Sequence, residues 1–171
     1  MNESIEEFYA KIYSLAYITR YSGIPRIKDE SVAEHSFFVA SLVIRLHEVY
    51  YFNLGKALHM AIVHDWSEAL IGDITYKVKK AYPSLGSTVE FTESEAMFNE
   101  FNTDVYLSWS ERSLEESLEA KIVTMADILQ VMQYAEHEVK LGNNGYMLSV
   151  VNSAKERLTV LAEQLNEFTR Q

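Results

Sequence analysis

Apolar residues recur at helical spacing through most of the chain, and few runs alternate as a half-buried strand would, which predicts an all-α protein. Phe8, Ile12, Leu15 and Ala16 make one stripe, so a first helix is expected over residues 5–21, closed by Ser22-Gly23-Ile24-Pro25. Ser31 and Glu34 have the spacing of a capping box and open a second helix over residues 32–51. A third starts after Asn53, carries Leu58, Ala61, Ile62 and Val63 to His64-Asp65, can run on to Ile71, and meets a break at Gly72. Residues 74–81 read as a loop or short helix, and Pro83-Ser84-Leu85-Gly86 as the clearest loop in the chain. Ser87 with Glu90 then caps a fourth helix over residues 88–101, while 102–109 reads as a helix end plus a turn. Ser113 with Glu116 opens a long fifth helix ending near Leu141, whose central run 122–129 is apolar on nearly every face and should be buried. Gly142-Asn143-Asn144-Gly145 stops it, and an amphipathic helix over 146–168 completes the chain.

Polar residues that interrupt this pattern carry the candidate chemistry. The stretch A-I-V-H-D-W-S-E-A-L-I-G-D places His64, Asp65, Glu68 and Asp73 within ten residues. Adjacent side chains on a helix diverge by about 100°, so His64 and Asp65 reach one ion only beside a helix end. Glu68 lies on the face between them, where a carboxylate that does not bind metal can move protons for a metal-activated water. Taken alone, these residues read equally as a satisfied histidine and solvated acids. Asp127 shifts the balance, because a carboxylate amid Ile122, Val123, Met125, Ala126, Ile128 and Leu129 costs several kcal/mol unless paired or coordinated. A structural ion pair with Arg20 or a lysine would also satisfy it. His35, among Val32, Ala33, Phe37, Phe38 and Val39, becomes a ligand candidate only in that company. His47, His59 and His137 read as ordinary helix residues, His137 on a solvated face between Glu136 and Glu138.

Arg20 can grip a phosphate through two N–H groups, and Tyr21 and Ile24 can pack on a base, although a lone surface arginine and an aromatic near a helix end usually have structural explanations. Lys77, Lys79 and Lys80 could hold an anion or form a solvated run.

Composition narrows the field. The 171 residues contain no cysteine, so disulfides and thiolate metal sites are excluded, and a metal must be held by His and carboxylates, which suits harder divalent ions. A net charge of -10 argues against a nucleic-acid polymer as partner but leaves room for a small anion drawn to a buried metal. The acidic start M-N-E-S-I-E-E-F is not a signal peptide, and no apolar run is long enough for a membrane span, so a cytoplasmic location without membrane contact is expected. No repeat or linker divides residues 1–171, which read as a single domain.

His35, the His64-Asp65 pair and Asp127, in that order on helices, resemble the metal motif of the HD-domain phosphohydrolases. More closely, the chain is similar to the bacterial 5′-deoxynucleotidases and to the phage deoxyadenosine triphosphate triphosphohydrolases. Arg20 upstream of His35, E-H-S at Glu34–Ser36, H-D-x-S-E at His64–Glu68, G-D at Gly72-Asp73 and G-N-N at Gly142–Asn144 extend the likeness over residues 16–147. One departure is Tyr21, where the monophosphatases carry tryptophan. The resemblance implies an HD-domain helical bundle of about six to seven helices. It further implies that His35, His64, Asp65 and Asp127 hold one divalent ion per chain (Co, Mn, Fe, Zn or Mg). Glu68 is then catalytic, Arg20 catalytic and phosphate-binding, and Asp73 a contact to the sugar or a support for the site, with Tyr21, Ile24 and Lys79 beside the substrate. The expected activity is removal of phosphate from deoxynucleoside 5′-monophosphates. Release of triphosphate from deoxynucleoside triphosphates, with Arg26, Lys28, Lys77 and Lys79 as the extra cations, and a non-catalytic nucleotide-binding module are the alternatives. A homo-oligomer, dimeric or higher, is expected.

Overall fold

Short polar side chains set most of the helix starts in the computed structural model, which describes residues 3–115 and 117–169. In chain order the helices are α1 (Ile5–Tyr13), α2 (Val32–Leu46), α3 (Leu54–Val63), α4 (Glu68–Ile71), α5 (Tyr76–Ala81), α6 (Pro83–Glu100), α7 (Thr103–Ser113), α8 (Leu118–Lys140) and α9 (Tyr146–Leu165), with 3₁₀ turns at Ser14–Ala16 and Asn166–Phe168. Ser4 and Ser31 form full capping boxes with Glu7 and Glu34, while Asn53, Asn102 and Ser117 each accept an N–H from the first turn they precede. Among the described residues, extended pairing is limited to two isolated bridges, Thr19 with Ser31 and Tyr50 with Thr169. The all-α reading holds, and the helix number rises above six to seven because α4, α5 and α7 are separate short elements.

α8 is the central helix, packed against α2, α3, α7 and α9. Ala120, Val123 and Ala126 meet Val39, Val43, Ala57, Met60 and Ala61 on one side, and Ile122, Met125 and Ile128 meet Ala154, Leu161 and Leu165 on the other. The alanines let α2, α3 and α8 approach closely, and each buried Val, Met, Ile or Leu contributes about 1.5–3 kcal/mol. Along this buried stretch Asp127 is an exception, with its side chain 24% exposed where it faces a cavity described below.

Several local expectations are corrected. α1 stops at Tyr13 rather than near Tyr21, because the chain beyond the 3₁₀ turn folds back on itself: Arg20 N–H donates to Glu30 O (2.9 Å) and Val32 N–H to Ile18 O (3.0 Å). Pro83-Ser84-Leu85-Gly86 is the first turn of α6, since proline at N1 lacks only an N–H that has no helical partner there. Ser87 is therefore inside a helix and caps nothing. Gly86 is buried, and a Cβ there would meet the Lys79 carbonyl oxygen at 3.1 Å, so the glycine permits α5 to pack on α6. The cap of α8 is Ser117, Ser113 belongs to α7, and Glu116 of the expected capping box lies outside the described residues.

Glu138 is fully buried rather than solvated, whereas His137 beside it is exposed. Its carboxylate accepts N–H groups from Ile27 (2.7 Å) and Lys28 (2.8 Å) and the Asn143 amide (2.8 Å), which also donates to Pro25 O (2.9 Å). The Gly142–Asn144 turn, with Gly142 at φ 103°, thus clamps the loop that presents Arg20 and Tyr21. Burial pushes the Glu138 carboxyl up, but the Asn143, Ile27 and Lys28 donors outweigh it and hold it below the ordinary value. Glu138→Ala is expected to cost about 2–4 kcal/mol, because buried N–H groups lose their acceptor. Denaturant titration checks this, and an unchanged midpoint would refute the clamp.

Candidate metal centre

His35 enters from the first turns of α2 with its ring fully buried. α3 ends at Val63, so His64 is its C-cap and Asp65 lies in the turn before α4. His64 keeps helical dihedrals (φ -59°, ψ -33°), and the two side chains nevertheless converge beside the helix end. Asp127 arrives from the middle of α8. Nε2 of His35 lies 3.2 Å from Nε2 of His64, 3.5 Å from Oδ2 of Asp65 and 3.4 Å from Oδ1 of Asp127. Nε2 of His64 is 3.2 Å from Oδ2 of Asp65. His35, His64 and Asp127 form a group whose ligand atoms lie within 4.8 Å of one another, and Asp65 joins through both imidazoles.

The donor set fits a divalent cation. Two ligands sharing an ion at about 2.1 Å stand about 3.0–3.4 Å apart, close to the spacings here. Nδ1–H of His64 donates to Ala61 O at 2.8 Å, which turns the Nε2 lone pair toward the centre. Two imidazole nitrogens and two carboxylates facing one point favour a positive charge between them. Burial pushes Asp65 up, but the charge and hydrogen bond of His64 and the charge of His35 hold it well below the ordinary carboxylate range. For Asp127 burial is likewise outweighed, by His35 first and then Arg112. Burial lowers His64, yet Asp65 and Asp127 raise it overall, the response of a site built to hold cationic charge.

Asp127 is also ion-paired, and its partner is Arg112 of α7 rather than Arg20 or a lysine: Nη2 donates to Oδ2 at 2.8 Å. The two carboxylate oxygens divide the work, Oδ2 to Arg112 and Oδ1 to the histidine cluster.

Glu68 is the first residue of α4, and its buried Oε2 has no hydrogen-bond partner among the described residues. Burial, then Asp65 and Asp73, push its carboxyl up to about 10 despite Arg20 and Lys79. The neutral acid form is therefore favoured in the metal-free protein.

A cavity of about 600 Å³ shares Asp127 with the cluster. Arg20, Tyr21 and Asp73 line it near that end, with Tyr76, Lys77 and Lys80 from α5 and Tyr146 and Arg157 from α9. Tyr21 has a left-handed backbone (φ 59°), held by its N–H donating to Asp73 Oδ2 at 3.0 Å. Its ring stacks on Tyr134 at 5.2 Å, and the Arg20 guanidinium lies 5.4 Å from its centroid. Burial pushes the Tyr21 phenol up to about 12, so it stays neutral. Ile24 does not line the cavity; it packs beneath Tyr21 with Tyr134, Met147 and Val151. Lys79 is also off the wall, paired with Glu93 at 2.8 Å, although its charge acts on Glu68 and Asp73.

The sequence reading missed Arg112, Glu30 and Gln130. Gln130 stands three residues after Asp127 on one helix face, a spacing that could have drawn attention to it. Nothing local flags Arg112 or Glu30, whose partners come from other elements.

A family model described as 5′-deoxynucleotidase YfbR-like matches residues 7–169. A 5′-deoxynucleotidase of Pasteurella multocida is 28% identical over 172 residues, covering 92% of this chain and 84% of the relative. Among solved structures, an HD-domain phosphohydrolase from Listeria innocua matches with a TM-score of 0.80 at 24% identity, over 93% of this chain and 82% of that one. A cyanophage S-2L HD phosphohydrolase bound to dA and one catalytic Zn²⁺ matches with a TM-score of 0.63 at 17% identity, over 93% and 86%. The two structures speak for the fold, and the family match for descent.

Proposed function

The chain belongs to the 5′-deoxynucleotidase YfbR-like family, and from that premise we propose that it is a divalent-metal-dependent phosphohydrolase that removes phosphate from deoxynucleoside 5′-monophosphates. The observation that carries this reading is the convergence of His35 Nε2, His64 Nε2, Asp65 Oδ2 and Asp127 Oδ1 beside a cavity walled by Arg20 and Tyr21.

One divalent ion held by those four residues would lower the pKa of a water and polarise the phosphoryl group. Arg20, beside Asp127 on the cavity wall, offsets charge on the phosphate oxygens. Glu68, held toward its neutral form by burial and by Asp65, suits delivery of a proton to the leaving 5′-oxygen. Tyr21 offers its ring to the base or sugar, with Ile24 as its packing support and Asp73 as the anchor of its backbone. Lys79 contributes at longer range, through its charge on Glu68 and Asp73.

The reading includes Mn²⁺ or Co²⁺ as effective ions, with Fe²⁺, Zn²⁺ and Mg²⁺ as the other candidates for mixed His/carboxylate ligation. It includes a single domain over residues 1–171, a cytoplasmic location and a dimer or higher oligomer, the last supported by the exposed Phe37, Phe38 and Ile44 on α2. Among the described residues no helix is long and apolar enough to cross a membrane. The net charge of -10 supports a small nucleotide rather than a polymer.

A triphosphate-releasing reaction on deoxynucleoside triphosphates is the second reading, because Lys77, Lys80 and Arg157 also line the cavity. A chromatographic panel of mono- and triphosphates, ribo and deoxy, with Mn²⁺ or Co²⁺ separates the two. Nucleoside and orthophosphate from deoxynucleoside monophosphates are expected. Intact triphosphate without monophosphate turnover would replace the first reading with the second, and inertness toward every nucleotide with metal bound would favour a binding module.

A further inference from the structure

Beside the metal cluster, Glu30 and Gln130, which the proposed reaction does not itself use, join His35 and Arg20 in a buried polar network. Glu30, His35 and Gln130 are 7%, 0% and 5% exposed, and Arg20 joins them. Gln130 Nε2 lies 2.5 Å from Glu30 Oε1. A carboxylate only accepts, so the amide must present its NH₂ to Glu30 and its oxygen to the other side. That oxygen is 2.7 Å from His35 Nδ1. An amide oxygen also only accepts, so with Gln130 as its partner Nδ1 carries the proton and Nε2, the nitrogen facing His64, Asp65 and Asp127, is left with its lone pair.

Arg20 completes the network. Its Nη1 lies 3.0 Å from Glu30 Oε2 and 3.2 Å from Gln130 Oε1, two acceptors for its two hydrogens. Nη1 also lies 2.7 Å from His35 Nδ1, within hydrogen-bond reach; an arginine N–H only donates, so that bond requires the opposite tautomer, with the proton on Nε2, and it is the metal centre's need for a lone pair on Nε2 that selects Gln130 as the partner of Nδ1. The phosphate-facing arginine and the metal-facing histidine are thus set by the same two side chains.

We propose that Gln130, oriented by Glu30, is a positioning residue that holds His35 in the tautomer whose Nε2 serves the metal centre and ties that ligand to Arg20. The inference rests on the metal-dependent reading above. Its agents touch neither substrate nor ion and act through His35 and Arg20.

The test is Mn²⁺ affinity by chelator competition, read beside thermal melting of the metal-free protein. Gln130→Met keeps approximate volume and removes the acceptor, and is expected to weaken Mn²⁺ binding about 10–100-fold, the range for losing an outer partner of a ligating histidine. The double exchange Glu30→Gln with Gln130→Glu restores every donor and acceptor in reverse: the new carboxylate accepts from His35 and from the new amide, whose oxygen accepts from Arg20. It is expected to recover wild-type Mn²⁺ affinity to within about threefold and to bring KM for a deoxynucleoside monophosphate back with it. A merely structural role would lower the melting temperature of Gln130→Met and leave Mn²⁺ affinity alone, and that result overturns the proposal. So does a double exchange that binds Mn²⁺ no better than Gln130→Met. Failure of the wild-type protein to bind Mn²⁺, Co²⁺ or Zn²⁺ would instead remove the metal centre, and this assignment with it.

Discussion

Glu68→Gln is expected to lower kcat for a deoxynucleoside monophosphate by about 10²–10⁴-fold while metal content stays at the wild-type level. The substitution keeps shape and removes only the transferable proton. Elemental analysis beside steady-state kinetics checks both halves, and loss of metal together with turnover would make Glu68 a ligand. Stability gives an independent readout. Burial and the charges of Asp65 and Asp73 raise Glu68 from an ordinary 4.5 to about 10 in the folded protein. As pH rises through 4.5 the unfolded chain releases this proton while the native state keeps it. The group's contribution is therefore fully present below about pH 4.5 and is lost progressively up to about pH 10, by at most about 1.4 kcal/mol per pH unit. Glutamine does not titrate. Metal-free Glu68→Gln should melt above metal-free wild type at pH 8, with the gap narrowing toward pH 5.

Asp127→Ala and His64→Ala are each expected to weaken metal binding by more than about 100-fold and to abolish measurable turnover at micromolar metal, because each removes an inward-facing donor rather than an outer support. The two should differ in stability. Asp127→Ala also strands the Arg112 guanidinium, whose Nη2 donates to Asp127 Oδ2 and whose buried Nε already has no hydrogen-bond partner among the described residues, so an additional loss of about 1–3 kcal/mol is expected in the metal-free protein. Arg112→Ala should restore part of that stability in an Asp127→Ala background without restoring metal. Wild-type metal content in both single variants would remove the centre as drawn.

The helical class, the capping box at Ser31 and Glu34, and the burial of α8 were legible in the sequence, because each depends on residues within one or two turns of each other. The order His35, His64-Asp65, Asp127 was legible for another reason: a histidine and a carboxylate inside apolar helices need an explanation that local structure does not supply. Pro83–Gly86 misled the reading because proline and glycine mark a loop as readily as the first turn of a helix, and the packing of α6 against α5 chose between them. Only the tertiary fold decided that Arg20 leaves the first helix and lies against Glu30, that Arg112 rather than a nearby cation meets Asp127, and that Gln130 supports His35. Periodicity and caps are local quantities written in neighbouring residues, whereas the partner of a buried charge is set by which elements pack together, and residues 10 to 110 positions apart in the chain meet there with no local trace of the pairing.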